Sequence, residues 1–151
     1  MKQNLIFIVI LLATLSMVNA IPYYQLDKRA TMFGPCPEGP QGTLPALTVT
    51  LQPDPPVPGQ NCTATVTGTI DSGINPGAIL TVIAFDSANN VIGPLGAAEI
   101  CSPEVKCPTT SLSATTTIPI DASLPATYSI AFVIMDENKA PLSCSYGAIT
   151  G

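Results

Sequence analysis

Asn61-Cys62-Thr63-Ala64-Thr65-Val66-Thr67-Gly68-Thr69-Ile70 alternates almost residue by residue. Cys62, Ala64, Val66 and Ile70 fall on one side, and Asn61, Thr63, Thr65, Thr67 and Thr69 on the other. Successive side chains of a β-strand point to opposite faces, so this period of two describes a strand buried on one face and wet on the other. The same rhythm comes earlier, where Leu47, Val49 and Leu51 alternate with Thr48, Thr50 and Gln52. Between the two runs, Pro53-Asp54-Pro55-Pro56-Val57-Pro58-Gly59 forms a rigid connection, because proline donates no ladder hydrogen bond.

Downstream, Asp71–Gly77 carries turn residues, and Ile79–Phe85 is a nearly continuous apolar run whose facing the pattern leaves open. Asn89-Asn90 marks a turn, and Val91–Leu95 reads as a short strand broken by Gly93-Pro94. Further strands are expected at Leu112–Ile120, Tyr128–Met135 and Leu142–Ile149. In the second of these, Tyr128, Ile130, Phe132 and Ile134 share a face, and Asp136–Lys139 turns the chain back. Sixteen prolines and eleven glycines disfavour long helices. About seven short strands at regular spacing predict an all-β fold, an immunoglobulin-like antiparallel β-sandwich.

The chain starts Met1-Lys2-Gln3-Asn4, runs apolar through Leu5–Met17 and leaves through Val18-Asn19-Ala20. A basic start, a short apolar core and a small-residue exit read as a secretory signal peptide over residues 1–20. Lys28-Arg29 reads as a dibasic processing site ending a pro-segment over 21–29, the alternative being a solvated charge pair. The mature domain would then span 30–151 and hold two lysines, Lys106 and Lys139, against nine carboxylates. So acidic a surface repels nucleic acid and offers no basic patch to anionic lipid.

Five cysteines in a secreted chain leave at least one without an internal partner. Cys101 and Cys107 are the natural close pair, since Pro103 and Pro108 stiffen the loop between them. Cys36 and Cys144, at the two ends of the domain, would close nearly its whole length. Cys62 remains, on the apolar face of its strand, and is expected to be a buried free thiol. Asn61-Cys62-Thr63 is also the chain's N-x-[ST] sequon, with Asn61 on the solvent face where a glycan fits.

The chemistry of catalysis is sparse. The chain has no histidine, which removes the commonest general base and metal ligand together. No serine sits in a G-x-S-x-G context and no glycine loop is shaped for phosphate. A zinc site at Cys101/Cys107 lacks a second close pair. Asp86, Glu99 and Glu104 are scattered among loops and no spacing selects two of them. The expectation is a protein that is not an enzyme and needs neither metal nor cofactor.

Four features recur in a telling order: F-G-P-C-P (Phe33–Pro37), P-V-P-G-Q (Pro56–Gln60) ahead of a threonine-rich strand, C-x5-C-P (Cys101–Pro108), and P-L-S-C-S-Y (Pro141–Tyr146). In this the chain resembles the ML-domain lipid-recognition family, which includes the secreted Niemann-Pick type C sterol carrier. It is most similar to the fungal phosphatidylglycerol/phosphatidylinositol transfer proteins of that family. The resemblance implies an immunoglobulin-like sandwich whose two sheets part to hold a lipid, with Cys36 paired to Cys144 and Cys101 to Cys107. The animal sterol carriers differ in having a further early disulfide and more aromatic cavities.

Small or aliphatic inward groups (Cys62, Ala64, Val66, Gly68) leave room between sheets that aromatics would fill, although a packed core is the alternative for each residue. Space without contact atoms costs stability unless something occupies it. The expected lining is Val66, Ile70, Val82, Phe85, Leu124, Tyr128, Ile130, Phe132 and Ile134. The expected function is secreted lipid transfer by a monomer carrying a sterol or a phospholipid such as phosphatidylinositol or phosphatidylglycerol. It would make transient membrane contact, and its place would be extracellular or a vacuolar or lysosomal lumen. The alternative is a secreted interaction or effector protein that meets a receptor through the sandwich surface.

Overall fold

The computed structural model of the chain describes residues 30–37, 43–103 and 105–150. The expected signal peptide, the pro-segment and Glu104 lie outside the described residues. Eight strands follow one another: β1 (Phe33–Pro35), β2 (Thr48–Gln52), β3 (Asn61–Ile74), β4 (Ile79–Phe85), β5 (Val91–Glu99), β6 (Thr109–Pro119), β7 (Thr127–Met135) and β8 (Pro141–Thr150). They form two antiparallel sheets, one of five strands in the order β1-β8-β7-β4-β5 and one of three in the order β2-β3-β6. The sheets stack with their apolar faces together, giving a disulfide-stapled β-sandwich.

Alternation does the folding work. In β3, Cys62, Ala64, Val66, Ile70 and Ile74 are buried while Asn61, Thr63 and Thr69 stay in water. Directly opposed residues of an antiparallel pair share a face, so β3 hands its pattern to both neighbours. Val66 stands beside Val49 of β2 and Ala114 of β6, and Cys62 stands beside Ile118. In the five-stranded sheet the ambiguity of the apolar run at β4 resolves: Leu80, Val82 and Ala84 point inward, and Ile79, Thr81, Ile83 and Phe85 outward. Tyr128, Ile130, Phe132 and Ile134 of β7 line the same inner face, with Val82 register-paired to Phe132.

Three strands depart from expectation. β3 runs on past Ile70 to Ile74, through a register irregularity that admits Gly73 at φ +83°. β5 runs through Gly93-Pro94, where a break is expected, and on beyond Leu95 to Glu99. As an edge strand it needs no donor from Pro94 on its free side, and its pairing with β4 shifts register on either side of that proline. The three-residue β1 carries no alternation long enough to read and is held by its partner β8.

Two hairpins share one turn design. Asp86 Oδ1 accepts from the Ala88 and Asn90 amides, and Asp136 Oδ1 accepts from those of Asn138 and Ala140, all at 2.8 Å. In each, the fourth residue (Asn89 or Lys139) takes a left-handed conformation, φ 63° and 64°. A short carboxylate that satisfies two loop amides closes such a turn without further help.

One flank of the sandwich is latched. The Leu47 amide donates to Ser145 Oγ at 2.6 Å, and Ser145 Oγ donates back to the Leu47 carbonyl at 2.7 Å. The Pro45 carbonyl accepts from Ser143 Oγ at 2.7 Å and from the Cys144 amide at 3.1 Å. These bonds tie the segment entering β2 to β8 and so join the two sheets. Cys36–Cys144 extends the β1–β8 pairing by one rung, and Cys101–Cys107 closes the connection between β5 and β6. Cys62 is a free, buried cysteine.

Candidate functional site

The interior between the sheets collects most of the residues expected to line a binding site. Val66 and Ile70 reach it from the three-stranded sheet, and Val82, Tyr128, Ile130, Phe132 and Ile134 from the five-stranded one, all of them buried. Phe33 of β1 meets Phe132 edge-on, with ring centroids 5.5 Å apart at 79°. Gly147 makes that crossing possible, because a Cβ there would lie 2.8 Å from the Phe33 ring.

Two expected residues sit elsewhere. Phe85 is on the outer face of the five-stranded sheet, 6.2 Å from the Tyr146 ring, and cannot line the interior. The reason is parity: it lies an odd number of residues from Leu80, Val82 and Ala84, so it points the other way. Leu124 lies on the connection between β6 and β7, half-buried, and packs against the rim of the core.

Among the described residues the interior is lined almost entirely by apolar side chains. Ser143 and Ser145 are buried but committed to the latch. Cys62 points its Sγ at the Pro53 carbonyl, 3.5 Å away. Burial pushes this thiol above its ordinary value, and the nearby Asp54 carboxylate adds to the effect. Tyr128 is raised for the same first reason, with Cys62 as its neighbouring acid. Its hydroxyl oxygen is buried and makes no hydrogen bond.

The flank opposite the latch is closed by strand edges without such hydrogen bonds among the described residues. There β5 and β6, the edge strands of the two sheets, approach each other. The inner positions of β5 are Gly93, Gly96 and Ala98, register-paired with Ala84, Val82 and Leu80. Those of β6 include Ala114 and Thr116, paired with Val66 and Ala64. All five are half-exposed, and a Cβ added to Gly93 or Gly96 would meet no atom within 4 Å. Small side chains thus border the apolar interior on both rims of this flank. Sequence reasoning missed these residues, because Gly93-Pro94 reads as a break in Val91–Leu95 where it lies in a strand at the sheet edge.

On the outer face, Pro37, Phe85, Asn89, Ala131, Val133, Tyr146 and the Cys36–Cys144 bridge surround a shallow, mostly apolar hollow of about 320 Å³. Asn61 is exposed on the outer face of β3. Among the described residues, no group of three or more His, Cys, Asp or Glu side chains is placed to hold a metal ion. No helix among them is long and apolar enough to cross a membrane.

The chain is thus a β-sandwich latched along one flank and bordered by small residues along the other. The ML-domain family model matches residues 30–149, and the chain belongs to the ML-domain family. Among solved structures it is similar to a Niemann-Pick type C2 protein from Japanese carpenter ant, at 13% identity and TM-score 0.56, over 78% of this chain and 97% of that one. It is also similar to chicken MD-1, solved in complex with lipid IVa, at 12% identity and TM-score 0.46, over 78% of this chain and 87% of that one. A comparison with curated protein sequences finds no match.

Proposed function

We propose that this protein binds a lipid between its two sheets and transfers it between membranes, taking it in through the seam between β5 and β6. The observation that carries this reading is an apolar interior latched on one flank and bordered on the other by Gly93, Gly96, Ala98, Ala114 and Thr116. Membership of a lipid-recognition family supports it. No covalent step is required: removing a lipid's apolar surface from water drives uptake, at about 0.8 kcal/mol per buried methylene.

The cargo is a sterol or a phospholipid. With Lys106 and Lys139 as the only cationic side chains of residues 30–151, an anionic headgroup finds little partnership and stays in solvent. Val91 and Ile92, 63% and 43% exposed at the start of β5, stand on one rim of the seam and offer a transient apolar contact to a membrane. Secretion after removal of residues 1–20, cleavage behind Lys28-Arg29, and a glycan on exposed Asn61 complete the reading.

The test is native mass spectrometry with lipid extraction on the protein from its secreting host, followed by transfer of fluorescent sterol and phosphatidylinositol between vesicles. Bound lipid at near one-to-one stoichiometry and transfer without a protein partner are expected. Phe132→Asp places a charge in the apolar interior and should abolish uptake while secreted protein remains detectable. An empty protein that takes up neither lipid would refute the proposal. The outcome would then favour the second reading, recognition of a partner through the outer hollow around Phe85 and Tyr146.

A further inference from the structure

Tyr128 is the polar anomaly of the interior. It is 4% exposed, its hydroxyl oxygen is shut off from solvent, and among the described residues no group accepts from it or donates to it. A buried hydroxyl without a partner costs about 1–3 kcal/mol, and folded proteins rarely leave one so. A phenylalanine would fill the same space without that cost. The contrast with Tyr146 is direct, since that hydroxyl donates to Asn89 Oδ1 at 3.1 Å on the outer face. Nearby Cys62 offers no remedy: its Sγ is turned to the Pro53 and Thr63 carbonyls.

The position of the hydroxyl defines what would satisfy it. Tyr128 is on β7, register-paired with Ile149 of β8 on the inner face, and β4 separates β7 from the rim strand β5. The unpaired oxygen therefore lies within the sandwich and not at the seam. The core it belongs to is mostly aliphatic, and its polar neighbour, the Cys62 thiol, is turned away. A pure hydrocarbon chain would leave it unpaired. A lipid that brings an oxygen inward would pair it.

We propose that Tyr128 Oη is the hydrogen-bond anchor for a hydroxyl or carbonyl oxygen of the bound lipid, so that the cargo enters with an oxygen-bearing end facing the interior. The inference rests on the lipid-carrier reading and sharpens it. Tyr128 selects oxygenated lipids, such as a sterol with its ring hydroxyl or a fatty alcohol or acid, over hydrocarbons of the same shape. The phenol both donates and accepts, so it serves either oxygen chemistry.

The experiment uses delipidated mature protein and matched probes, cholesterol against 5α-cholestane and hexadecanol against hexadecane. Wild type should bind the oxygenated member of a pair about tenfold more tightly, the worth of one buried hydrogen bond together with the group it leaves unpaired when lost. Tyr128→Phe should erase that preference, weakening the oxygenated member of each pair toward its hydrocarbon partner, and leave lipid-free stability equal or higher. A merely structural tyrosine would instead lower stability and weaken both probes alike. With ring-carbon-labelled tyrosine, residues 30–151 hold only Tyr128 and Tyr146. The Tyr128 Cζ resonance should shift with oxygenated probes and move less with hydrocarbons. Uptake of both members of each pair with equal affinity would overturn the anchor and leave the carrier standing. Failure to take up any probe, with no lipid in the host-purified protein, would overturn both.

Discussion

Ser145 uses a single hydroxyl to accept from and donate to the backbone of Leu47, 98 residues away, at 2.6 and 2.7 Å. Both backbone groups are buried with it, so losing the hydroxyl strands an amide and a carbonyl. Ser145→Ala should cost about 2 kcal/mol in chemical unfolding, and an unchanged midpoint would show that the latch does not hold the sheets. Nothing in S-C-S announces this role; serine in a strand is ordinary until a distant carbonyl is placed beside it. The acids of the interior were only half legible. Cys62 on the apolar side of its strand is a local fact, but the isolation of the Tyr128 hydroxyl depends on what the opposite sheet does not supply. Both groups have raised pKa values because burial disfavours their charged forms. The fold therefore holds both protons more tightly than the unfolded chain, whose values are about 8.5 for cysteine and about 10 for tyrosine. The stability they contribute is full below pH about 8.5 and falls as pH rises through the raised values. Urea unfolding across pH 7 to 11 should show that decline, and a Cys62→Ala/Tyr128→Phe variant should flatten it.

At the level of strands and turns, the alternating segments were readable because a period of two is written into neighbours along the chain. The run Ile79–Phe85 was not, since apolar residues on both parities leave the facing undecided. Register with β7 decides it, placing Val82 against Phe132 and sending Phe85 outward to Tyr146. The edge strand β5 was misread for a related reason. Gly93 and Pro94 break a central strand, but at an edge one side of the ladder has no partner to lose. The seam that results is open to test. A Cβ at Gly96 meets no atom within 4 Å, so Gly96→Phe should fold with stability close to wild type while narrowing the entrance. Vesicle-to-vesicle transfer should slow severalfold, with the equilibrium lipid load less affected than the rate. Transfer at the wild-type rate would move the entrance away from β5.

For the molecule as a whole, the two disulfides contribute unequally. Cys36 and Cys144 are 108 residues apart in sequence and Cys101 and Cys107 only 6. On the loop-entropy model the long closure is worth about 4–5 kcal/mol and the short one about 2. Replacing Cys36 and Cys144 by serine should therefore destabilise the domain about twice as much as replacing Cys101 and Cys107, read as unfolding free energies. Equal losses would mean that the long bridge restrains the unfolded chain less than its length implies. The all-β class, the sandwich, the cysteine pairing and the family were within reach of the sequence alone. Each rests on local periodicity, on composition, or on short motifs in a fixed order. The outward Phe85, the Ser145 latch, the small-residue edge of β5 and the partnerless Tyr128 hydroxyl were decided only by tertiary structure. Each depends on which atoms from distant segments arrive, or fail to arrive, at one point in space, and no spacing along the chain records that.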